Sequence, residues 1–333
     1  MKLPTKIIAA IPGFTILLLL LMSCSSVDYL TTENIYFREN NHDKSNLKIV
    51  TYNIKAIYDK EETQVDSLIE FINKGRFNFV VFQELFDEST RCEIVEKTDT
   101  NYYGTIISRV DYVSFPELIF QDSGLFMMST YPRVDLSEVD FGDDIKNSNG
   151  IAHMILDKEY SRSHDYLANK SVVGTLFEID DSTFLFLFAT HVQALGTTEH
   201  KEFQLKQIKE FIEKSVKKVI DTQLVKPDNL AVLLAGDFNS NAYSVERFNT
   251  MRQILGNPRD LHKEYHGTRE EYTFVFRQGR PSRRFDYIFA YDEVDKIKLN
   301  KITLISSGVE NVKDIKGNSI SDHLSLKALF RLK

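Results

Sequence analysis

The sequence contains no tryptophan and only two cysteines, and its 41 basic side chains are outnumbered by 48 acidic ones, a formal net charge of -7. Each shortage excludes something. An acidic chain does not hold nucleic acid through a broad basic surface, although a nuclease whose site is neutralised locally by cations stays open. Scarce cysteine removes a disulfide scaffold: Cys24 lies in a leader-like segment, Cys92 is left alone, and stability has to come from an ordinary core. No internal repeat and no shift of composition divides the chain, so one large β-rich domain is expected.

The first residues speak to compartment. Lys2 and Lys6 form a basic head, residues 7–21 are almost purely apolar, and Leu21-Met22-Ser23-Cys24 follows. That order is the layout of a secretory signal. The apolar run is shorter than the ~20 residues that span a bilayer comfortably, which favours a cleaved signal over an uncleaved anchor. The Leu-x-Ser-Cys ending resembles a bacterial lipobox, although Met22 is bulkier than the usual residue there. The resemblance implies cleavage before Cys24, lipidation of Cys24, and an exported lipoprotein of the cell envelope, at the outer membrane or cell surface. Each buried methylene of such a lipid contributes about 0.8 kcal/mol of membrane binding. Residues 25–45 are polar and aperiodic, as expected of a flexible tether.

From Leu47 onward short apolar runs alternate with amphipathic segments. Strands are expected at residues 47–54, 77–82, 103–110, 124–129, 172–179, 184–190, 231–235, 272–276, 285–291, 302–306 and 324–332. Asp180-Asp181-Ser182 reads as a hairpin turn. Val65, Leu68, Ile69 and Ile72 recur at helical spacing with Gly75 as the stop, and Leu205, Ile208, Ile212 and Val216 mark a second helix. So many strands and so few helices suggest two packed sheets with helices outside.

The polar residues of interest stand at the ends of these apolar runs: Asn53, Gln83-Glu84, Thr190-His191, Gly236-Asp237-Phe238-Asn239, Asp286 in Arg-Phe-Asp-Tyr, and Ser321-Asp322-His323. A strand end holds a side chain rigidly and leaves its tip at a cleft. Singly each has a plain explanation. Asn53 and Gly-Asp-x-Asn suit turns, and His191 suits a hydrogen-bonded core position. Glu84 is harder to dismiss, because a carboxylate abutting Phe79-Val80-Val81-Phe82 is destabilising when buried without a cation or donor.

Taken in order, the set resembles the endonuclease/exonuclease/phosphatase superfamily, over essentially the whole region from Leu47 to the C-terminus. The resemblance implies an α+β fold, a four-layer α/β/β/α sandwich of two mainly antiparallel sheets with helices outside. It also implies a metal-dependent phosphoric diester hydrolase with residues 46–333 as catalytic domain, behind the signal expected at residues 1–23 and the lipidated cysteine and tether expected at 24–45. Phosphodiesters are anionic and resist attack, so a divalent cation has to offset their charge, and Mg²⁺ prefers oxygen ligands. By resemblance Glu84 and Asn53 hold the cation, with Asp322 touching it or a second one. His323 is the general base, Asp286 orients its ring, and Asp237 either protonates the leaving oxygen or positions the nucleophile. Asn239 and His191 are assigned hydrogen bonds to the developing phosphorane.

Several details resemble sphingomyelinase C in particular: Glu84-Leu85-Phe86-Asp87, Thr190-His191-Val192-Gln193-Ala194, the helix from Gln204, and Asn169-Lys170, whose asparagine would lie near the phosphate. Ser171 replaces a glycine of that branch. Secreted sphingomyelinases also carry a long aromatic hairpin before Ser-Asp-His, where this chain has a short polar stretch at residues 308–320 and no tryptophan. Membrane contact would then fall to the lipid on Cys24 or to the apolar residues 115–120, which equally suit a core edge. A sphingomyelin-like phospholipid is the expected substrate, nucleic acid the alternative, and a monomer the expected state. Arg277, Arg280, Arg283 and Arg284 suit phosphate contact in either case, or a solvated loop. A pure binding module would predict damaged motifs, yet every position is filled by a competent residue.

Overall fold

Strands buried on both faces dominate the chain, and their alternating side chains feed three separate cores. The computed structural model describes residues 44–56, 60–98, 103–109, 122–148, 151–158, 168–275 and 282–333. Cys24, the leader, most of the tether, residues 115–120, Arg277 and Arg280 lie outside the described residues.

The first sheet contains β1 (Leu47–Ala56), β2 (Phe79–Leu85), β3 (Tyr103–Arg109), β4 (Asp122–Ser129), β14 (Ile302–Glu310) and β15 (Ser325–Leu332), in the order β14-β15-β1-β2-β4-β3. The second contains β5 (Lys146–Ser148), β6 (Ile151–Leu156), β7 (Lys170–Asp180), β8 (Thr183–His191), β9 (Leu230–Asp237), β10 (Arg259–Asp260) and β11 (Asp286–Tyr291), in the order β10-β11-β9-β8-β7-β6-β5. Pairing is antiparallel except for β1 with β2 and β8 with β9. A small ribbon of β12 (Glu293–Val294) and β13 (Ile297–Lys298) stands apart.

Period-two alternation explains the layering. Leu185, Leu187 and Ala189 of β8, with Ala231, Leu233 and Ala235 of β9, face Leu47, Ile49, Phe79 and Val81 of the first sheet in an inter-sheet core. Their neighbours Phe186, Phe188, Val232 and Leu234 point outward to α3 (Thr198–Asp221) and α4 (Val245–Ile254). On the opposite side Val50, Tyr52, Val80 and Phe82 meet α1 (Glu62–Gly75) and α2 (Glu88–Lys97). Three cores between four layers give the α/β/β/α sandwich.

Several local expectations need correction. Gly75 does not stop α1: the left-handed cap is Arg76, at φ 47°. A Cβ on Gly75 would lie 2.1 Å from the Phe77 ring, so packing explains the glycine. Residues 272–276 form no strand among the described residues. Phe274 makes isolated bridges to both Arg283 and His323. The turn Asp180-Asp181-Ser182 does join β7 to β8, with Asp180 opposite Thr183. Three helices without a strong apolar stripe, α2, α4 and the short α5 (Leu261–His266), were not expected. Among the described residues no helix is long and apolar enough to cross a membrane.

Candidate active site

The alternation that fills the inter-sheet core also delivers the polar residues. Asn53 continues the inward face of Leu47 and Ile49, His191 that of Leu185, Leu187 and Ala189, and Asp237 that of Ala231, Leu233 and Ala235. Asp286 begins β11 with the parity of Ile288 and Ala290, directly opposite Asp237 in the ladder. Strands β1, β2, β8 and β9 end, and antiparallel β11 and β15 begin, at one edge of the sandwich. Glu84 has the opposite parity. Its φ of 55° departs from the strand and turns its carboxylate into the cluster. The β1–β2 register shifts at the same place, between Asn53 and Ala56, with Lys55 also left-handed. A bulge that re-aims a side chain beside a site is a familiar use of local strain.

The contacts are close. The Asn53 amide donates to Glu84 Oε1 at 2.9 Å and to Asp237 Oδ2 at 3.1 Å, and its oxygen accepts from Lys55 N at 3.2 Å. His191 Nε2 lies 3.8 Å from Glu84 Oε1 and 3.7 Å from Asp237 Oδ2. Asn239, left-handed at φ 48°, gives its backbone N–H to Asp237 Oδ1 at 2.8 Å. Its amide nitrogen is 2.9 Å from the Val192 carbonyl and 3.3 Å from His191 Nε2, so in this structure Asn239 holds His191 in place.

His323 stands between two carboxylates, with Nδ1 2.8 Å from Asp286 Oδ2 and Nε2 3.6 Å from Asp237 Oδ2. Ser321 shapes the turn: its hydroxyl donates to the Asn53 carbonyl at 2.7 Å and accepts from His323 N at 3.1 Å. Burial alone would lower the His323 pKa, but Asp286 and Asp237 override it and hold the imidazole up at about 10. Burial, reinforced by Asp286, pushes Asp237 up to about 7 against the pull of His323, Asn239 and Asn53. His191 is held neutral, well below its usual value, by burial with help from Lys170 and His323.

Two expected residues stand at the margin. Asp322 is paired with Lys55 at 2.5 Å, so the lysine already faces the carboxylate assigned to a cation. Asn169 is fully buried beside the start of β7, its oxygen taken by Lys158 and its amide nitrogen without a hydrogen-bond partner among the described residues. Arg284 is no phosphate ligand, for it forms a buried ion pair with Asp260 and lies 4.5 Å from the Tyr287 ring.

Sequence reasoning missed Thr273. Its hydroxyl accepts from the backbone N–H of Phe285 at 3.0 Å and of Asp286 at 3.2 Å, fixing where Asp286 emerges. It also missed Lys55 and Lys60. Lys60 is lowered to about 8 by burial and the neighbouring Lys55, and it donates to the Ile320 carbonyl at 2.6 Å. No local pattern announces a residue whose partner is more than ten positions away.

The Glu84 carboxylate, beside Asn53, supplies the hard oxygen that would hold a divalent cation, and Asp237 accepts from the same Asn53 amide nitrogen. Residues 50–323, which include every one of these groups, match the Endonuclease/Exonuclease/phosphatase family. The chain belongs to that family. Its members are hydrolases of phosphodiester bonds. Among solved structures of the family fold, sphingomyelinase C from Streptomyces griseocarneus is 18% identical, with a TM-score of 0.56 over 85% of this chain and 99% of that one. The beta toxin of Staphylococcus aureus, in a variant with bound magnesium ions, is 18% identical with a TM-score of 0.58 over 85% and 99%. D. rerio TDP2 complexed with a single-strand DNA product is 16% identical with a TM-score of 0.55 over 86% and 99%. At such identities the likeness concerns the fold. An uncharacterized protein of Dictyostelium discoideum is 25% identical over 201 residues, 54% of this chain but only 16% of that longer protein.

Proposed function

We propose that this protein is a Mg²⁺-dependent phosphodiesterase that cleaves the head group from a sphingomyelin-like phospholipid. The observation that carries the hydrolytic reading is the buried row Asp286, His323, Asp237, which faces Glu84 across a few ångströms. Asp286 holds the Nδ1 hydrogen of His323, so Nε2 is the nitrogen that exchanges protons with the site: it takes one from an attacking water once its own has passed to Asp237, whose Oδ2 is 3.6 Å away. Asp237, pushed up to about 7, is available in protonated form to give its proton to the leaving oxygen. His191, positioned by Asn239, and the amide nitrogen of Asn169, without a partner among the described residues, are the groups that would receive phosphoryl oxygens. A cation held by Glu84, with Asn53 beside it and Asp322 further out, would offset phosphate charge.

Three features favour lipid over nucleic acid. The chain is acidic, with a formal net charge of -7. Arg284, buried within the local basic cluster, is already neutralised by Asp260. The Glu84-Leu85-Phe86-Asp87 segment also works as a unit: Leu85 is buried, Phe86 packs against Gly124, and Asp87 caps α2 through Thr90 N. A lipid on Cys24 would keep the enzyme at a membrane surface, which suits such a substrate.

The test is a panel in which purified protein meets sphingomyelin, phosphatidylcholine, double-stranded DNA and an inositol phosphate, with Mg²⁺ or with chelator, beside His323→Ala. Phosphocholine release that disappears with chelator and in the variant supports the proposal. Preferential cleavage of DNA would replace it with the nuclease reading.

A further inference from the structure

A second cluster of ligand-type side chains lies away from the catalytic edge. His262 and His266 stand one turn apart on α5, and Glu271 follows in the next loop. His262 Nε2 is 3.8 Å and His266 Nε2 3.7 Å from the same oxygen, Glu271 Oε2. One donor atom from each of the three residues lies within 4.8 Å of the others. Ligand atoms around a tetrahedral Zn²⁺, at bond lengths of about 2.0–2.2 Å, are about 3.3–3.5 Å apart. Each histidine therefore needs to close on Glu271 by only a few tenths of an ångström, and the two imidazoles on one another by at most about 1.5 Å.

Hydrogen bonding fixes which way His262 faces. The Ser307 hydroxyl donates its only proton to the Lys327 carbonyl at 2.8 Å. Its oxygen therefore accepts from His262 Nδ1, 3.1 Å away, and the neutral ring carries its hydrogen there. Nε2 is left as a lone pair on a side chain 2% exposed, without a hydrogen-bond partner among the described residues. A buried lone pair that faces a carboxylate oxygen lacks a positive charge between them. Arg269 does not supply it, because it reaches the other oxygen, Glu271 Oε1, at 3.2 Å. The Ser307 backbone carbonyl, 2.9 Å from His266 Nε2, adds an oxygen at the same place.

We propose that His262, His266 and Glu271 bind a zinc-class divalent cation, with the Ser307 carbonyl completing the set. Two imidazoles and a carboxylate select such an ion over Mg²⁺. Binding moves the His266 hydrogen from Nε2 to Nδ1, and Ser307 Oγ is the outer partner that orients His262. The ion is structural. It ties α5 and the loop after it to edge strand β14, two residues before Thr273, whose hydroxyl positions Asp286.

Co²⁺ and Zn²⁺ titrations of untagged full-length protein, in excess Mg²⁺, test this. The expected result is one tightly held equivalent, visible absorption of four-coordinate Co²⁺, and a Zn²⁺-dependent rise in Tm. His266→Gln and Glu271→Gln each remove the bands and the Tm rise and weaken uptake by at least about 100-fold, the upper range for loss of even an outer-shell partner. Glu84→Gln leaves all three intact. The proposal is overturned if no stoichiometric uptake occurs, if uptake survives His266→Gln, or if it is lost in Glu84→Gln, which would place the ion in the catalytic cluster.

Discussion

At the scale of single residues, His323 and His262 show how the same side chain is put to opposite uses. His323 has a carboxylate on each nitrogen and is held up at about 10, whereas His262 is pushed down to about 3 by burial, the Arg284 guanidinium and its neighbours His266 and Arg269. For His323, replacement by Gln is expected to lower kcat by about 10²–10⁴, the range for a lost general base, when assayed below a Tm that also falls because buried Asp286 and Asp237 lose their partner. Asp286→Asn should lower kcat too, because the ring loses its preferred tautomer rather than its place. Parallel kinetics and thermal melts check both, and an equal loss of fold would remove the catalytic assignment. For His262 the sign runs the other way. The unfolded chain takes up a proton near the ordinary value of about 6.5, whereas the folded one waits until about 3. Stability is therefore complete above that ordinary value and falls on acidification through the window down to about 3, by about 1.4 kcal/mol per pH unit. Urea unfolding at pH 7 and pH 5 with chelator present should show this slope, and His262→Gln should flatten it by that amount.

At the scale of elements, close backbone approach and buried charge decide what the strand ends tolerate. Gly236 sits at φ 151°, and a Cβ there would lie 2.0 Å from the Thr190 carbonyl oxygen across the parallel β8–β9 pair. Since backbone meets backbone, neither side can yield cheaply, and Gly236→Ala is expected to destabilise by about 3 kcal/mol or more, in the tail of single substitutions. Asp260 does two jobs, capping α5 through the N–H groups of His262 and Lys263 and neutralising Arg284. Asp260→Ala should remove about 3–5 kcal/mol by leaving a buried guanidinium unpaired. The pair Asp260→Leu with Arg284→Met should regain most of it, as read from denaturant midpoints. These two cases also show what was legible beforehand. Apolar runs such as 77–82 and 231–235 identified the central strands, and the motifs at their ends identified the site, because period-two alternation is a local property. The Gly-Asp-x-Asn glycine looked like a turn residue because its neighbour across the sheet is 46 positions away in the chain and invisible to spacing. Arg284 looked like a surface arginine for the same reason. Glu84 was expected at the site, but only its left-handed φ explains how a residue of outward parity arrives there.

At the scale of the whole molecule, the site belongs to neither sheet alone. Asn53, Glu84 and His323 come from the first sheet and its approaches, and His191, Asp237 and Asp286 from the second. The pairs that define the geometry, Asn53 with Asp237 and His323 with Asp286, therefore bridge the two sheets at 3.1 Å and 2.8 Å. Beneath them the inter-sheet core is continuous, from Leu47 and Phe79 on one side to Leu187 and Leu233 on the other. Any slippage between the sheets thus separates acid from base before either sheet loses its hydrogen bonds. Leu233→Ala, which opens that core on the strand that ends in Asp237, should cost about 2–5 kcal/mol. In urea at fixed Mg²⁺, activity and near-ultraviolet dichroism should fall at one midpoint in the wild type and at one lower midpoint in the variant, since the packing that supports the site is the packing that holds the fold. Activity that vanished at distinctly lower urea than the dichroism would show a site carried by its loops alone, and the inter-sheet origin of its geometry would have to be given up.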